Sequence, residues 1–319
     1  MVGGQDMTQW LRIANFPTDK LLPGVMEAVT DVQGRVVGLP IDFLIQIVRF
    51  DSGRLTNASV EAPHSGWTAD EFLTVVAKLS SSGDRASVFG YDLSFPTVDA
   101  GMPWVGYALG NGGQLAVNQR LNLTGNDIVK GLNAYADVLA WTWTGQQPQR
   151  GAPRPWFNFD LAGVAEFRSP EPVGITRFPR MPLLPIVPAI PLAAVIAPYA
   201  PNPEGAAQFI MWLLSPSGQG ALTGLGFPAM RTDLPGGKSW LSKDATGVSV
   251  ADLRWGAGPV SYWANSELRL GDYVIAALAK PLGERLQRLA VIETAFNGYL
   301  SGAWDAAQLM NRLGPMPFV

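Results

Sequence analysis

Ile196-Ala197-Pro198-Tyr199-Ala200-Pro201-Asn202-Pro203-Glu204-Gly205-Ala206-Ala207-Gln208-Phe209-Ile210-Met211-Trp212-Leu213-Leu214-Ser215-Pro216-Ser217-Gly218-Gln219-Gly220-Ala221-Leu222, followed by Gly226-Phe227-Pro228-Ala229-Met230-Arg231-Thr232, is the stretch on which the fold turns. An apolar strand ends in a loop at its start. Asn202 is an N-cap residue, Pro203 suits the first helical position, and Glu204 favours the positive end of the helix dipole. Ala206, Phe209, Ile210 and Leu213 follow at helical spacing. Ser215 and Pro216 repeat the start signal, and the second helix should stop near Gly224 or Gly226, where a left-handed residue can end it.

Outward from this stretch, strands and helices alternate. Val36–Asp42 reads as one strand and Ile45–Phe50 as a second. Thr68-Ala69-Asp70-Glu71 is a capping box, and Phe72, Val75, Val76 and Leu79 continue it at helical spacing. Val88–Tyr91 reads as a short strand. Thr124–Asn126 caps a helix whose apolar face is Ile128, Leu132, Tyr135, Ala136 and Leu139. Val164–Phe167 and Val173–Phe178 read as strands. Ten prolines from Pro170 to Pro203 exclude a helix there. Helices are expected at about Glu267–Lys280, Leu282–Leu300 and Ala303–Leu313. The alternation argues an α/β fold with mainly parallel pairing.

Composition narrows the function classes. The 319 residues exceed what one core usually organises. Net charge is −3 and charged residues are 15% of the chain, so no field for nucleic acid is present. There is no cysteine, which removes disulfides, thiolate metal sites and a Cys nucleophile. The longest apolar run, Leu183–Ile196, is broken by Pro185, Pro188 and Pro191 and is shorter than the ~20 residues of a membrane span. Met1–Asp6 lacks the charged start and apolar run of a leader.

The opening stretch resembles a hallmark of the extracellular solute-binding proteins of ABC importers, the maltose-binding-like class, whose segment reads "skhpeaAwefikfLlspegqkal" before a glycine-rich turn and "lPar". Other parts are similar to the same family in the same order. Asp6-Met7-Thr8-Gln9-Trp10-Leu11 resembles "DLTpll", and Gly34–Ile41 resembles "GkvyGlPy". Gly66–Phe72 resembles "pkTWdEf" with Trp and Thr exchanged, and Asn111-Gly112-Gly113 resembles "naGGe". Gly163-Val164-Ala165 resembles "GkaAM", and Trp304–Ala307 resembles the closing "speeAL". Arg49-Phe50-Asp51 departs from the family's "yYNkdlf". Members carry a strand, a helix and a second strand ahead of "DLTpll". That unit is expected to be missing, as in a truncated form of a longer exported precursor.

The resemblance implies an α/β, two-lobed periplasmic-binding-protein type II fold, truncated at the N-terminus. One lobe would take residues 1–95 and 193–233, the other 97–191 and 235–319. It implies non-catalytic capture of a solute, a carbohydrate, in a cleft between lobes, with delivery to an ABC permease. The protein would be a monomer outside the cytoplasmic membrane, tethered in its precursor, with no cofactor, metal or nucleic acid. Sugars take aromatic rings on their flat faces and charged or amide groups on their hydroxyls. The implied ligand-binding residues are Asp42, Trp104, Trp156, Trp255, Tyr262 and Trp263. Each also has a plainer reading, as loop-capping carboxylate for Asp42 and core packing for the tryptophans.

Catalytic motifs are lacking. His64, the single histidine, lies in a surface-type loop without partners for a metal. Gly236-Gly237-Lys238-Ser239 imitates a phosphate-binding loop, but Thr232 stands where its first glycine belongs. No Gly-x-Ser-x-Gly elbow occurs. Two alternatives stay open: a binding module repurposed for sensing or assembly, and a carbohydrate-active enzyme.

Overall fold

The computed structural model describes residues 4–31, 33–64, 66–82, 89–91, 102–118, 120–142, 156–163, 173–225, 227–234, 252–255 and 270–314. In chain order its elements begin with α1 (Thr8–Ile13), α2 (Val25–Ala28), β1 (Leu39–Asp51), α3 (Ser52–Asn57), α4 (Ala69–Ser82), β2 (Phe89–Tyr91) and α5 (Met102–Gly110). A small hairpin β3 (Ala116–Val117) and β4 (Arg120–Leu121) precedes α6 (Asn126–Thr142), β5 (Phe157–Gly163), β6 (Val173–Arg177) and β7 (Val187–Ala194). The rest is α7 (Pro203–Leu213), α8 (Pro216–Gly224), β8 (Leu253–Trp255), α9 (Leu270–Leu278), α10 (Leu282–Leu300) and α11 (Ala306–Leu313). Two compact units result, one from Met1–Ile45, Leu161–Pro170 and Val187–Ser261, the other from Gln46–Asp160, Glu171–Ile186 and Tyr262–Val319. The chain first changes unit after Ile45, so β1 gives its first half to one unit and its second half to the other.

In the first unit the opening stretch folds on its caps. Asn202 Oδ1 accepts the Gly205 N–H at 2.9 Å and Ser215 Oγ accepts the Gly218 N–H at 3.2 Å, each just before a proline in the first turn. α8 ends at Gly224, where the sequence places its stop; its C-cap, Leu225, is right-handed at φ −88°, and Gly226 lies outside the described residues. Gln219, fully buried, holds the motif together. Its Nε2 donates to the Leu213 carbonyl at 3.1 Å and its Oε1 accepts the Met230 N–H at 2.7 Å. Gly218 is required here, because a Cβ would collide with the Trp212 carbonyl as α8 turns back on α7. Of the helical stripe Ile210 is buried, Ala206 and Leu213 are half-buried, and Phe209 is 59% exposed.

The first half of β1 pairs antiparallel with β7, from Leu39 opposite Ala194 to Ile45 opposite Ala189, with a register shift between Pro40 and Asp42. β7 pairs parallel with β8 only at Val187–Ala189, so Pro191 lies beyond the end of that ladder, where a missing N–H costs no sheet bond to β8. The two strands expected between residues 36 and 50 are one continuous strand from Leu39 to Asp51.

In the second unit the remainder of β1 pairs antiparallel with β6, from Ile47 opposite Arg177 to Asp51 opposite Val173. β2 and β5 run parallel, Phe89 opposite Phe157. The pairing is therefore mixed rather than mainly parallel. The capping box forms as read: the Thr68 N–H donates to Glu71 Oε2 at 2.8 Å and the Glu71 N–H to Thr68 Oγ1 at 3.2 Å. Ile128, Leu132, Tyr135, Ala136 and Leu139 of α6 are all buried. Thr124 is not the α6 cap; its N–H and hydroxyl both donate to Glu293 of α10, at 2.9 Å. Gly131 lets α6 approach α5 to a distance at which a Cβ would strike the Tyr107 carbonyl. A chain of rings fills this core. Trp67 meets Phe72 at 5.1 Å, Phe72 meets Phe159 at 5.4 Å, Phe159 meets Phe178 at 5.4 Å, Phe178 meets Tyr107 at 5.8 Å and Tyr107 meets Tyr135 at 5.2 Å. The expected strand at Val164–Phe167 lies outside the described residues.

Candidate functional site

Asp42 sits in the first unit at the irregularity of β1. Its Oδ1 accepts the Phe43 N–H at 2.7 Å. The carboxylate is half-buried, and burial pushes its pKa above the usual aspartate range, only partly offset by that hydrogen bond. Among the described residues no lysine or arginine forms an ion pair with it. A carboxylate of this kind retains acceptor capacity for a ligand hydroxyl.

Trp255 is in the same unit and on the same sheet. It is buried at 7% exposure, its ring meets Phe43 edge-on at 5.3 Å, and its indole N–H donates to the Pro23 carbonyl at 2.7 Å. Trp255 lies opposite Ala189, and Asp42 opposite Leu192. Three positions apart along β7, they project from opposite faces of the pleat. The structure therefore shares a sheet between them without bringing their side chains together.

Trp104 and Trp156 belong to the second unit. Trp104, on α5, is at 0% exposure, and among the described residues its indole N–H has no hydrogen-bond acceptor. Stacking on a ligand needs an open ring face, and this ring shows none. Trp156 directly precedes β5, is half-exposed, and carries the Arg54 guanidinium over its ring at 4.7 Å from the centroid. Tyr262 and Trp263 lie outside the described residues. His64 is exposed, and its Nδ1 accepts the Gly66 N–H at 3.1 Å. Among the described residues no three His, Asp or Glu side chains gather as a metal site.

Two polar residues escaped the sequence reading. Among the described residues, Gln46, 1% exposed on β1, leaves Oε1 without a donor, and Asn158 on β5 does the same with Oδ1. The signal for Gln46 was an amide inside the apolar run Ile45–Val48, which reads as alternating although all four residues are buried. For Asn158 it was the alternation Phe157-Asn158-Phe159-Asp160-Leu161, a strand pattern passed over beside the proline-rich loop.

The chain has the fold of periplasmic-binding-protein-like solute-binding proteins. The cyclic α-maltosyl-1,6-maltose binding protein of Arthrobacter globiformis superposes with TM-score 0.66 at 13% identity, covering 94% of this chain and 81% of that one. Maltose-bound MalE3 of T. maritima gives 0.58 at 15% identity, covering 95% and 81%. UgpB of Mycobacterium tuberculosis, solved with glycerophosphocholine, gives 0.63 at 14% identity, covering 94% and 80%. No protein-family model and no curated protein matches the sequence. No helix among the described residues is long and apolar enough to cross a membrane.

Proposed function

We propose that this chain is the solute-binding protein of an ABC importer, capturing a carbohydrate or polyol and passing it to a membrane permease without chemical change. The observation that carries this reading is a fold match along 94% of the chain, at TM-score 0.66, to a binding protein for a cyclic maltosyl-maltose. The low charge and the absence of a nucleophile–base motif agree with capture rather than turnover. In this reading Asp42 accepts ligand hydroxyls in the first unit and Trp156 offers a ring in the second, with Tyr262 and Trp263 as further contacts. Trp104 and Trp255 support packing, Trp104 retaining one N–H able to donate. The protein works as a monomer outside the cytoplasmic membrane, with its precursor tethered there.

A thermal-shift screen against maltose, cyclic glucans, polyols and glycerophosphodiesters tests the reading. A ligand present at 100 times its Kd stabilises the folded state by about 2.7 kcal/mol. A rise in Tm with one class, and no product in a parallel oligosaccharide turnover assay, is the expected result. Product formation would replace binding with catalysis.

A further inference from the structure

The dipeptide Asn-Gly occurs twice in the chain, and the fold treats the two copies differently. Asn297-Gly298 lies inside α10. Asn297 is held at both side-chain atoms by a residue distant in sequence: Oδ1 accepts the Leu121 N–H at 2.8 Å and Nδ2 donates to the Leu121 carbonyl at 3.1 Å. Gly298 has helical backbone on both sides, and a Cβ there would strike the Trp304 ring. Asn111-Gly112 directly follows α5 and has only local ties. Asn111 Nδ2 donates to the Tyr107 carbonyl at 2.8 Å, and the Gly112 N–H donates to the Leu109 carbonyl at 3.0 Å. Both bonds belong to the last turn of α5, and helix ends open far more readily than long-range packing. Gly112 is exposed at φ +83°, and a Cβ there would meet nothing closer than Leu183 Cδ1 at 3.6 Å.

We propose that Asn111 is a site of spontaneous deamidation whose conversion unfastens the end of α5, and that the fold protects Asn297 in the same dipeptide. Glycine in the second position leaves the backbone nitrogen sterically open. When the last turn opens, the Gly112 nitrogen gives its proton to a hydroxide ion and attacks Asn111 Cγ. The N–Cγ bond forms, the Cγ–Nδ2 bond breaks, and Nδ2 leaves as ammonia with a proton taken from water. Water then opens the resulting succinimide at either carbonyl, giving aspartate or an isoaspartate linkage, with no change of oxidation state. At Asn297 the same attack requires the α10 backbone and both Leu121 bonds to open together. The carboxylate formed at residue 111 has no N–H for the Tyr107 carbonyl, so two acceptors face each other where a hydrogen bond stood. Its charge also falls at the negative end of the α5 dipole.

The test incubates the full folded chain in mildly alkaline buffer made with heavy-oxygen water and maps its peptides by mass spectrometry. Residue 111 should acquire the label at least tenfold faster than residue 297, in both aspartate and isoaspartate forms. In concentrated urea the two positions should label at similar rates. A folded chain that labels both alike, or residue 297 first, overturns the proposal. So does a preference for residue 111 that persists undiminished in urea, since neighbouring sequence rather than the fold would then choose the site. Asn111→Gln, whose attack needs a larger ring, should stay unlabelled at that position; label there overturns the mechanism. The Tm should fall as conversion of residue 111 advances, and a Tm that stays constant through complete conversion contradicts the loss of the α5 fastening.

Discussion

The two units spend their aromatic residues differently. In the second, Trp67, Phe72, Phe157, Phe159, Phe178, Tyr107 and Tyr135 join into one continuous ring cluster beneath α4, α5 and α6. Among the described residues of the first, the ring pair Phe43 with Trp255 packs inside and the pair Phe209 with Trp212 faces solvent. The first unit sets polar fasteners beside a largely aliphatic core. Gln219 bridges Leu213 and Met230, Arg231 ties Leu214 to Asp233, and Gln5 donates through its side chain to the carbonyls of Ala197 and Pro198 at 3.1 and 3.0 Å. Apolar burial is non-directional and scales with area, whereas buried hydrogen bonds are lost whole when one partner goes. Mutations should therefore act through volume in the second unit and through single bonds in the first.

The largest expected effect is at Trp104. Trp104→Ala should lower stability by about 3–5 kcal/mol, the range for large-to-small changes of a buried aromatic, read as a fall in the guanidinium midpoint. Phe209→Ser, an aromatic of the first unit, should stay within about 0.5 kcal/mol, the range of surface changes away from special features. Equal losses at both positions would break the contrast. Next is Gln219→Ala, which strands the Met230 N–H and the Leu213 carbonyl; denaturant melts should show a loss of about 2 kcal/mol. A smaller value would mean that solvent reaches those groups and that the fastener is weaker than its geometry.

Caps should not distinguish the units. Asn202→Ala in the first and Thr68→Ala in the second should each cost about 1 kcal/mol, because each removes an acceptor for one helix-terminal N–H. The smallest effect is at Asp42. Burial raises its pKa in the folded state, so the folded chain holds that proton more tightly than the unfolded one. Stability is then fullest below the unfolded pKa and declines as pH rises through the folded value. Asp42→Asn should raise Tm slightly at pH 7 and leave it unchanged near pH 3, while weakening solute affinity at pH 7. A variant less stable than the parent at pH 7 would show that the charged carboxylate gains more from the Phe43 N–H than burial costs it.

Much of this was legible beforehand because it is local. Asn202-Pro203, Ser215-Pro216 and Thr68–Glu71 carry their cap chemistry within four residues, and the α6 stripe needs only the 3.6-residue period. The errors were non-local. The continuity of β1 depends on β6 and β7, which are distant in sequence, so a Pro-Ile-Asp irregularity read as a break between strands. Phe209 fits the apolar stripe of α7, yet exposure is set by what packs on the helix and not by its period. For the same reason Trp104 and Trp255, loop-adjacent in the sequence, proved to be buried. A tryptophan in a loop is equally good material for a ligand surface and for a core, and only its neighbours decide.

The function proposed for the chain is reversible capture of a small polyhydroxylated solute. Titration calorimetry of the purified chain against maltose, D-tagatose, ribitol and glycerophosphocholine, the solutes or solute types held by proteins of the same fold, tests it most directly. The expected result is a saturable isotherm with one of them, near one ligand per chain and with a Kd of about 1 μM, equivalent to roughly −8.2 kcal/mol. Flat traces for all four at millimolar ligand, from a chain that melts cooperatively, would contradict it.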